Sequence, residues 1–128
     1  MLEGSCLCGS VRYEIQGEIG PSVHCHCVQC RKASGASVTT NASVAASDFR
    51  FVEGEADVGE FESSPGNIRC FCTKCGSPLM KRIAADPSKL RLRLGTLDSD
   101  PKTEPAAHIF LRSKAPWTVI TDDLPQHD

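Results

Sequence analysis

Three cysteines and two histidines crowd residues 24–30, HCHCVQC, and two further cysteine groups lie at CLC (6–8) and CFCTKC (70–75). Thiolate sulfur is a soft ligand, so thiols at this spacing point to a bound metal. Cysteines two or three residues apart are poorly placed to bridge one another, but they chelate a single ion readily. In an extended C-x-C the two sulfurs share a side, so Cys25 and Cys27 can face one ion with His24 and His26 turned away. A C-x-x-C turn folds back and aims its amides at the sulfurs, which orients the ligands. Cys72-Thr73-Lys74-Cys75-Gly76 is such a turn, with Gly76 available for the unusual backbone angle.

Zinc suits this donor set; the spacings match neither common ferredoxin pattern, which argues against an iron–sulfur cluster. Counted in order, Cys6, Cys8, Cys72 and Cys75 close one tetrahedral site that would clamp the N-terminal strand to the middle of the chain. Cys25, Cys27 and Cys30 remain as a triple, and three protein ligands with an open position mark a working zinc. Cys70 leaves two readings open: a fourth ligand that closes the triple, or a buried free thiol. His26 is expected to bond a backbone group or shape the pocket wall, His24 and His108 to be structural, and His127 has no role. Three thiolates leave such a zinc with a net charge near −1, a poor generator of hydroxide and better suited to accepting another sulfur.

Short strands must position these groups. Val11–Ile15 and Leu90–Leu94 alternate apolar and charged residues, the leucines of the second forming a core face and Arg91 and Arg93 the other. Weaker strand candidates are Ser37–Thr40, Phe49–Val52, Val58–Glu62, Ile68–Phe71, Leu79–Ile83 and His108–Leu111, separated by glycine and proline turns. A helical turn through Arg31-Lys32-Ala33-Ser34, stopped by Gly35, is the most helix the pattern allows. The expected fold is mainly β, a small zinc-stabilised antiparallel sheet arrangement in one domain spanning 1–128, with a loose polar tail from about residue 122. Trp117, the only tryptophan, is expected over the core.

Composition narrows the partners. A net charge of −2 and only 5% aromatic residues disfavour a nucleic-acid surface, apart from a local patch such as Arg91, Arg93 and Arg112. The N-terminal stretch MLEGSCLCGSVRYEI has no basic segment followed by an apolar run, and no stretch of ~18 apolar residues could span a bilayer. The expected location is the cytoplasm, with no membrane partner; there eight cysteines favour metal over disulfides.

The runs SCLCGSVRYEI, HCHCVQCRKASGAS, RCFCTKCGSPL and AAHIFLRSKAPWTVITDDLP, from about Leu2 to Pro125, resemble the glutathione-dependent formaldehyde-activating enzyme family, which includes centromere protein V. The resemblance implies a β-tent fold with two zinc ions. By motif position Cys6, Cys8, Cys72 and Cys75 match the family's structural site. Cys25, Cys27 and Cys30 match its second site, where glutathione chemistry occurs, and Cys70 falls where no family cysteine is expected. The implied activity is that of a carbon–sulfur lyase or synthase, like S-(hydroxymethyl)glutathione synthase, acting on glutathione adducts of formaldehyde or a related carbonyl. The alternative is a zinc-stabilised binding module without turnover. Glutathione carries two carboxylates, so cations are expected near it: Arg31 and Lys32 directly after Cys30, and Arg69 and Lys74 flanking the other cluster, with Ser34 and Gly35 offering a hydroxyl and an amide.

Overall fold

The period-two alternation resolves into ten strands and one short helix in the computed structural model, which describes all residues from Met1 to Asp128. In chain order these are β1 (Leu2–Ser5), β2 (Arg12–Ile15), β3 (Ser22–Cys25), α1 (Val28–Ser34), β4 (Thr39–Ala45), β5 (Phe49–Glu53) and β6 (Val58–Ser64). They continue with β7 (Asn67–Cys72), β8 (Pro78–Ile83), β9 (Lys89–Arg93) and β10 (Pro105–Ile109). Three strands form one sheet in the order β1-β2-β5, and seven form the other in the order β10-β3-β4-β9-β8-β7-β6. The fold is mainly β, as the alternation implies. All paired strands run antiparallel except β10 and β3, which are parallel.

Residues directly opposite in a ladder share a face, so register assigns each side chain of the large sheet to one of two surfaces. Cys70, Met80, Leu92 and Ala42 are successive partners across β7, β8, β9 and β4. Their face meets the small sheet: Val11, Tyr13 and Ile15 pack with Val44, Leu90, Leu92, Met80, Cys70 and Cys72 in one cluster. Tyr13 stacks on Phe49 at 5.0 Å between ring centroids, and Phe51 meets Phe49 edge-on at 4.9 Å. The opposite face carries Arg69, Lys81, Arg91 and Ser43 in one row. Arg93 with Asn41, and Thr39 with Cys25, lie on that same face.

Several boundaries differ from those the sequence suggests. The expected Ser37–Thr40 strand is the longer β4, whose Thr39, Asn41 and Ser43 point to the polar face and so hide its alternation. β3 carries no apolar stripe and went unforeseen. β10 begins at Pro105, earlier than expected, and stops where Phe110 adopts left-handed backbone (φ 58°); Leu111–Ser113 then forms a 3-10 turn. Leu94 likewise belongs to a 3-10 turn and is half-buried rather than core. The helix starts three residues earlier than the expected turn because the Cys27 sulfur caps it. Trp117 is not core: it is 69% exposed, and the neighbouring Ala115 is the fully buried residue there. The tail from Asp122, expected to be loose, runs beside β10. The amides of His108 and Leu111 donate to the carbonyls of Pro125 and His127, and the amide of His127 donates back to the carbonyl of His108. No helix is long and apolar enough to cross a membrane.

Candidate metal centres

β1 and β2 flank the turn bearing Cys6 and Cys8, and β7 ends in the turn that bears Cys72 and Cys75. The four sulfurs lie within 4.8 Å of one another. Cys6 and Cys8 are separated by 3.6 Å and Cys8 and Cys72 by 3.9 Å between sulfurs. Tetrahedral ligation at the usual zinc–sulfur bond length sets ligand sulfurs ~3.8 Å apart, close to the two separations above, so the quartet is a donor set that could hold zinc. Gly76 takes the left-handed backbone (φ 80°) anticipated for it, and its amide donates to the Cys72 carbonyl at 2.7 Å. Amides also point at sulfur: Val11 to Cys6 at 3.3 Å and Lys74 to Cys72 at 3.4 Å. The Ser77 hydroxyl, 3.3 Å from the Cys75 sulfur, helps to hold that thiol near a pKa of about 5, while burial pushes Cys72 to about 11.

The triple is built at the junction of β3 and α1. Cys25 ends the strand, Cys27 caps the helix by accepting the Cys30 amide at 3.2 Å, and Cys30 lies in its first turn; the three sulfurs fall within 4.8 Å of one another. Cys25 and Cys30 are buried and Cys27 is half-buried. The hydrogen bond between Cys25 and Cys30 drives their thiols apart: Cys30 falls to about 4, and Cys25 is raised, burial adding to the rise. Cys70 belongs to neither group. Its register places it on the core face, across the sheet from Cys25, with burial raising its thiol. Of the two sequence readings, the structure favours the buried free thiol.

A cavity of about 400 Å³ opens over the triple, with Cys25, Cys30, Asn41, Lys81, Arg91 and Phe110 among its lining residues. Arg31, Lys32, Ser34 and Gly35, expected around a bound thiol, do not line it. The Arg31 guanidinium lies 5.9 Å from the Trp117 ring centroid, and Lys32 is exposed beside a separate groove. The Ser34 hydroxyl donates to the Cys30 carbonyl at 2.8 Å, and Gly35 (φ 70°) donates its amide to Arg31 at the helix end. Ser34 also borders another cavity with Thr39 and Arg93. Of the four expected cations Arg69 reaches the triple, whereas Lys74 pairs with Asp57 at 3.5 Å; the other cations near the sulfurs come from the sheet. Both terminal nitrogens of Arg69 stand 3.9 Å from the Cys30 sulfur, and its guanidinium also donates to Ser63 at 2.9 Å and Gln29 at 3.4 Å. Arg93, 7% exposed, is buried with one terminal nitrogen unpartnered. Burial lowers Lys81, partly offset by the Cys30 charge. The alternation that marked Arg91 and Arg93 as the non-core face carried this signal, although open solvent was the natural inference.

Histidine placement was also incomplete from sequence. His26 Nε2 and His108 Nδ1 are 2.8 Å apart and buried, and His108 Nε2–H donates to Asp122 at 3.0 Å. His24 bonds Thr40 at 2.9 Å and packs its ring 5.0 Å from that of His108. The segment between Cys25 and Cys27 is thereby tied to the C-terminal tail. Burial lowers both His24 and His26.

This geometry has counterparts. A crystal structure of a Rhodobacter sphaeroides protein superposes with a TM-score of 0.64 over 78% of this chain and 92% of that one, at 24% identity, a likeness of fold. A Halomonas elongata protein, provisionally named a glutathione-dependent formaldehyde-activating enzyme, is 33% identical over 129 aligned residues, covering 94% of this chain and 81% of the relative. The family model described as glutathione-dependent formaldehyde-activating enzyme matches residues 1–113. With its cysteine groups folded as described and a family match over most of its length, the chain belongs to the glutathione-dependent formaldehyde-activating enzyme family.

Proposed function

We propose that the protein is a glutathione-dependent enzyme acting on formaldehyde or a related carbonyl, making and, in reverse, cleaving the carbon–sulfur bond of the adduct. The observation that carries this reading is the asymmetry of the cysteine groups: a complete quartet gathers where the two sheets meet, whereas Cys25 and Cys30 of an incomplete triple line a cavity. Cys6, Cys8, Cys72 and Cys75 would hold one zinc, and Cys25, Cys27 and Cys30 a second. When bound at the triple, zinc supplies a soft Lewis acid that favours thiolate over thiol at neutral pH. Arg69 and Arg93 offset the negative charge that three thiolates gather under the sheet, and α1 holds Cys27 and Cys30 at fixed separation. In the reaction, the glutathione sulfur donates an electron pair to the carbonyl carbon. The carbon–oxygen π pair moves to oxygen, which takes up the proton given up by the thiol.

The test combines metal content with exchange spectroscopy on ¹³C-formaldehyde and glutathione. The wild-type chain is expected to carry two zinc ions and to accelerate formation of the hydroxymethyl thioether over the spontaneous rate. Cys27→Ser is expected to keep one zinc, stay folded and lose the acceleration. A two-zinc wild-type protein that leaves the spontaneous rate unchanged would show a binding module instead of an enzyme.

A further inference from the structure

Arg69, Lys81 and Arg91 are direct cross-strand partners on β7, β8 and β9. Like charges directly opposite in a ladder repel and destabilise the pairing. An acidic neighbour is the common remedy, and this chain uses it elsewhere: Arg50 pairs with Glu14, Lys74 with Asp57, Arg82 with Glu60 and Lys102 with Asp100. No carboxylate lies within ion-pairing distance of Arg69, Lys81 or Arg91. Arg69 finds its anion in the Cys30 sulfur. Lys81 shares the Cys30 charge without a contact of its own, and Arg91 reaches only the neutral Ser43 hydroxyl, although the chain as a whole is acidic at −2.

Both of these side chains line the cavity above Cys25 and Cys30. A second feature of that cavity is independent of charge. Asn41, only 7% exposed, donates its amide nitrogen to Thr39 at 3.2 Å but leaves Oδ1 buried and without a partner. A buried acceptor left empty costs free energy unless something donates to it. The cavity thus places two cations without a carboxylate partner, and an asparagine with an empty acceptor, beside a sulfur cluster, with Val23, Ile83 and Ile109 as an apolar wall.

We propose that Lys81, Arg91 and Asn41 form a subsite for the charged backbone ends of a peptide thiol, Lys81 and Arg91 taking carboxylate and Asn41 accepting from an N–H. The inference rests on the proposed function, which supplies the thiol, and deepens it: the protein selects anionic peptide thiols over neutral ones. The selection lies in the sheet, not in Arg31 and Lys32 of the helix.

The test is calorimetric titration of the zinc-loaded full chain with S-methylglutathione, whose blocked sulfur leaves binding to the rest of the molecule, and with its diethyl ester, whose carboxylates are masked. S-Methylglutathione is expected to bind wild-type protein about tenfold more tightly than the ester, the worth of one charge-assisted hydrogen bond. Lys81→Met and Arg91→Met are each expected to weaken S-methylglutathione by a similar factor and to leave the ester unchanged. The ester arm uses unmodified protein, so it is decisive even where a variant folds poorly. Equal binding of acid and ester would overturn the subsite, as would binding of glutathione but not of S-methylglutathione; either result leaves the proposed function standing. Failure of zinc-loaded wild type to bind glutathione at all would overturn the proposed function, and the subsite with it.

Discussion

The quartet at Cys6, Cys8, Cys72 and Cys75 and the triple at Cys25, Cys27 and Cys30 reuse the same C-x-C and C-x-x-C spacings, yet one sheet separates them. Cys72 shares the core face with Cys70 and Met80, and Cys6 packs into the same apolar cluster. Cys25 shares the other face with Thr39, and its neighbours are Asn41, Lys81 and Arg93. Spacing therefore determines that sulfurs converge, and strand parity determines what surrounds them. On the apolar side a metal would join the turn after β1 to the turn after β7, beside the cluster that already packs the two sheets together. On the polar side the sulfurs sit beneath cations and a cavity, where an added ligand has room.

Breaking the quartet should have the largest effect. Structural zinc contributes apparent binding energies of ~10–16 kcal/mol in small domains, comparable with the whole stability of a chain this size. Cys75→Ser is expected to abolish the cooperative thermal transition followed by circular dichroism, and a strong chelator should do the same to wild type. Cys27→Ser, on the opposite face, is expected to keep a cooperative transition while metal analysis finds one zinc fewer. Equal loss of structure in both variants would erase the distinction between the two sites.

The metal-ligating groups were legible because chelation is local: C-x-C and C-x-x-C bring sulfurs together whatever the rest of the chain does. Strands with one apolar face were legible too, among them β2, β8 and β9. What escaped depended on packing between distant segments. β3 and β4 were hidden or shortened because their polar residues point to an occupied face, so the alternation that marks a half-buried strand is absent. Arg93 reads as a surface charge, yet the fold buries it within reach of the Cys30 charge. The His26–His108–Asp122 chain joins residues 82 and 14 positions apart, and nothing in any one segment announces it. Arg31 and Lys32 were favoured for lying next to Cys30 in sequence, but a helix turns successive side chains in different directions.

Next in size are the groups that tune the triple without ligating it. Arg93 is buried with no carboxylate partner, and the Cys30 charge is the leading influence that favours its cationic form. Arg93→Met is expected to weaken zinc at the triple by about 10–100-fold, the usual cost of losing a supporting partner, and to leave the quartet's affinity unchanged. Competition against a chromophoric chelator resolves the two affinities. Cys70→Ser provides the complementary control from the core face. It is expected to lose about 1–3 kcal/mol in urea unfolding, the cost of placing a hydroxyl among apolar neighbours, with both zinc ions retained. Loss of a zinc ion from this variant would place Cys70 among the ligands.

The smallest effect should come from the tail. Asp122 is exposed, and its carboxyl is held below the ordinary carboxylate value first by the hydrogen bond from His108. A depressed carboxyl contributes stability above its unfolded pKa near 3.8 and loses it as pH falls through the lower folded value. Acid titration would obscure this contribution, because protonation of the cysteines releases zinc at higher pH. Asp122→Asn at neutral pH removes the charge and keeps the shape. The amides of His108 and Leu111, which donate to Pro125 and His127, are expected to exchange with solvent faster, while those of β7 and β8 are unaffected. Zinc affinity at the triple should fall only slightly, since His108 would still meet His26 across 2.8 Å. A large fall would mean that the tail, through His108 and His26, governs how Cys25 and Cys27 are presented, and the two faces of the sheet would then be less independent than strand parity makes them.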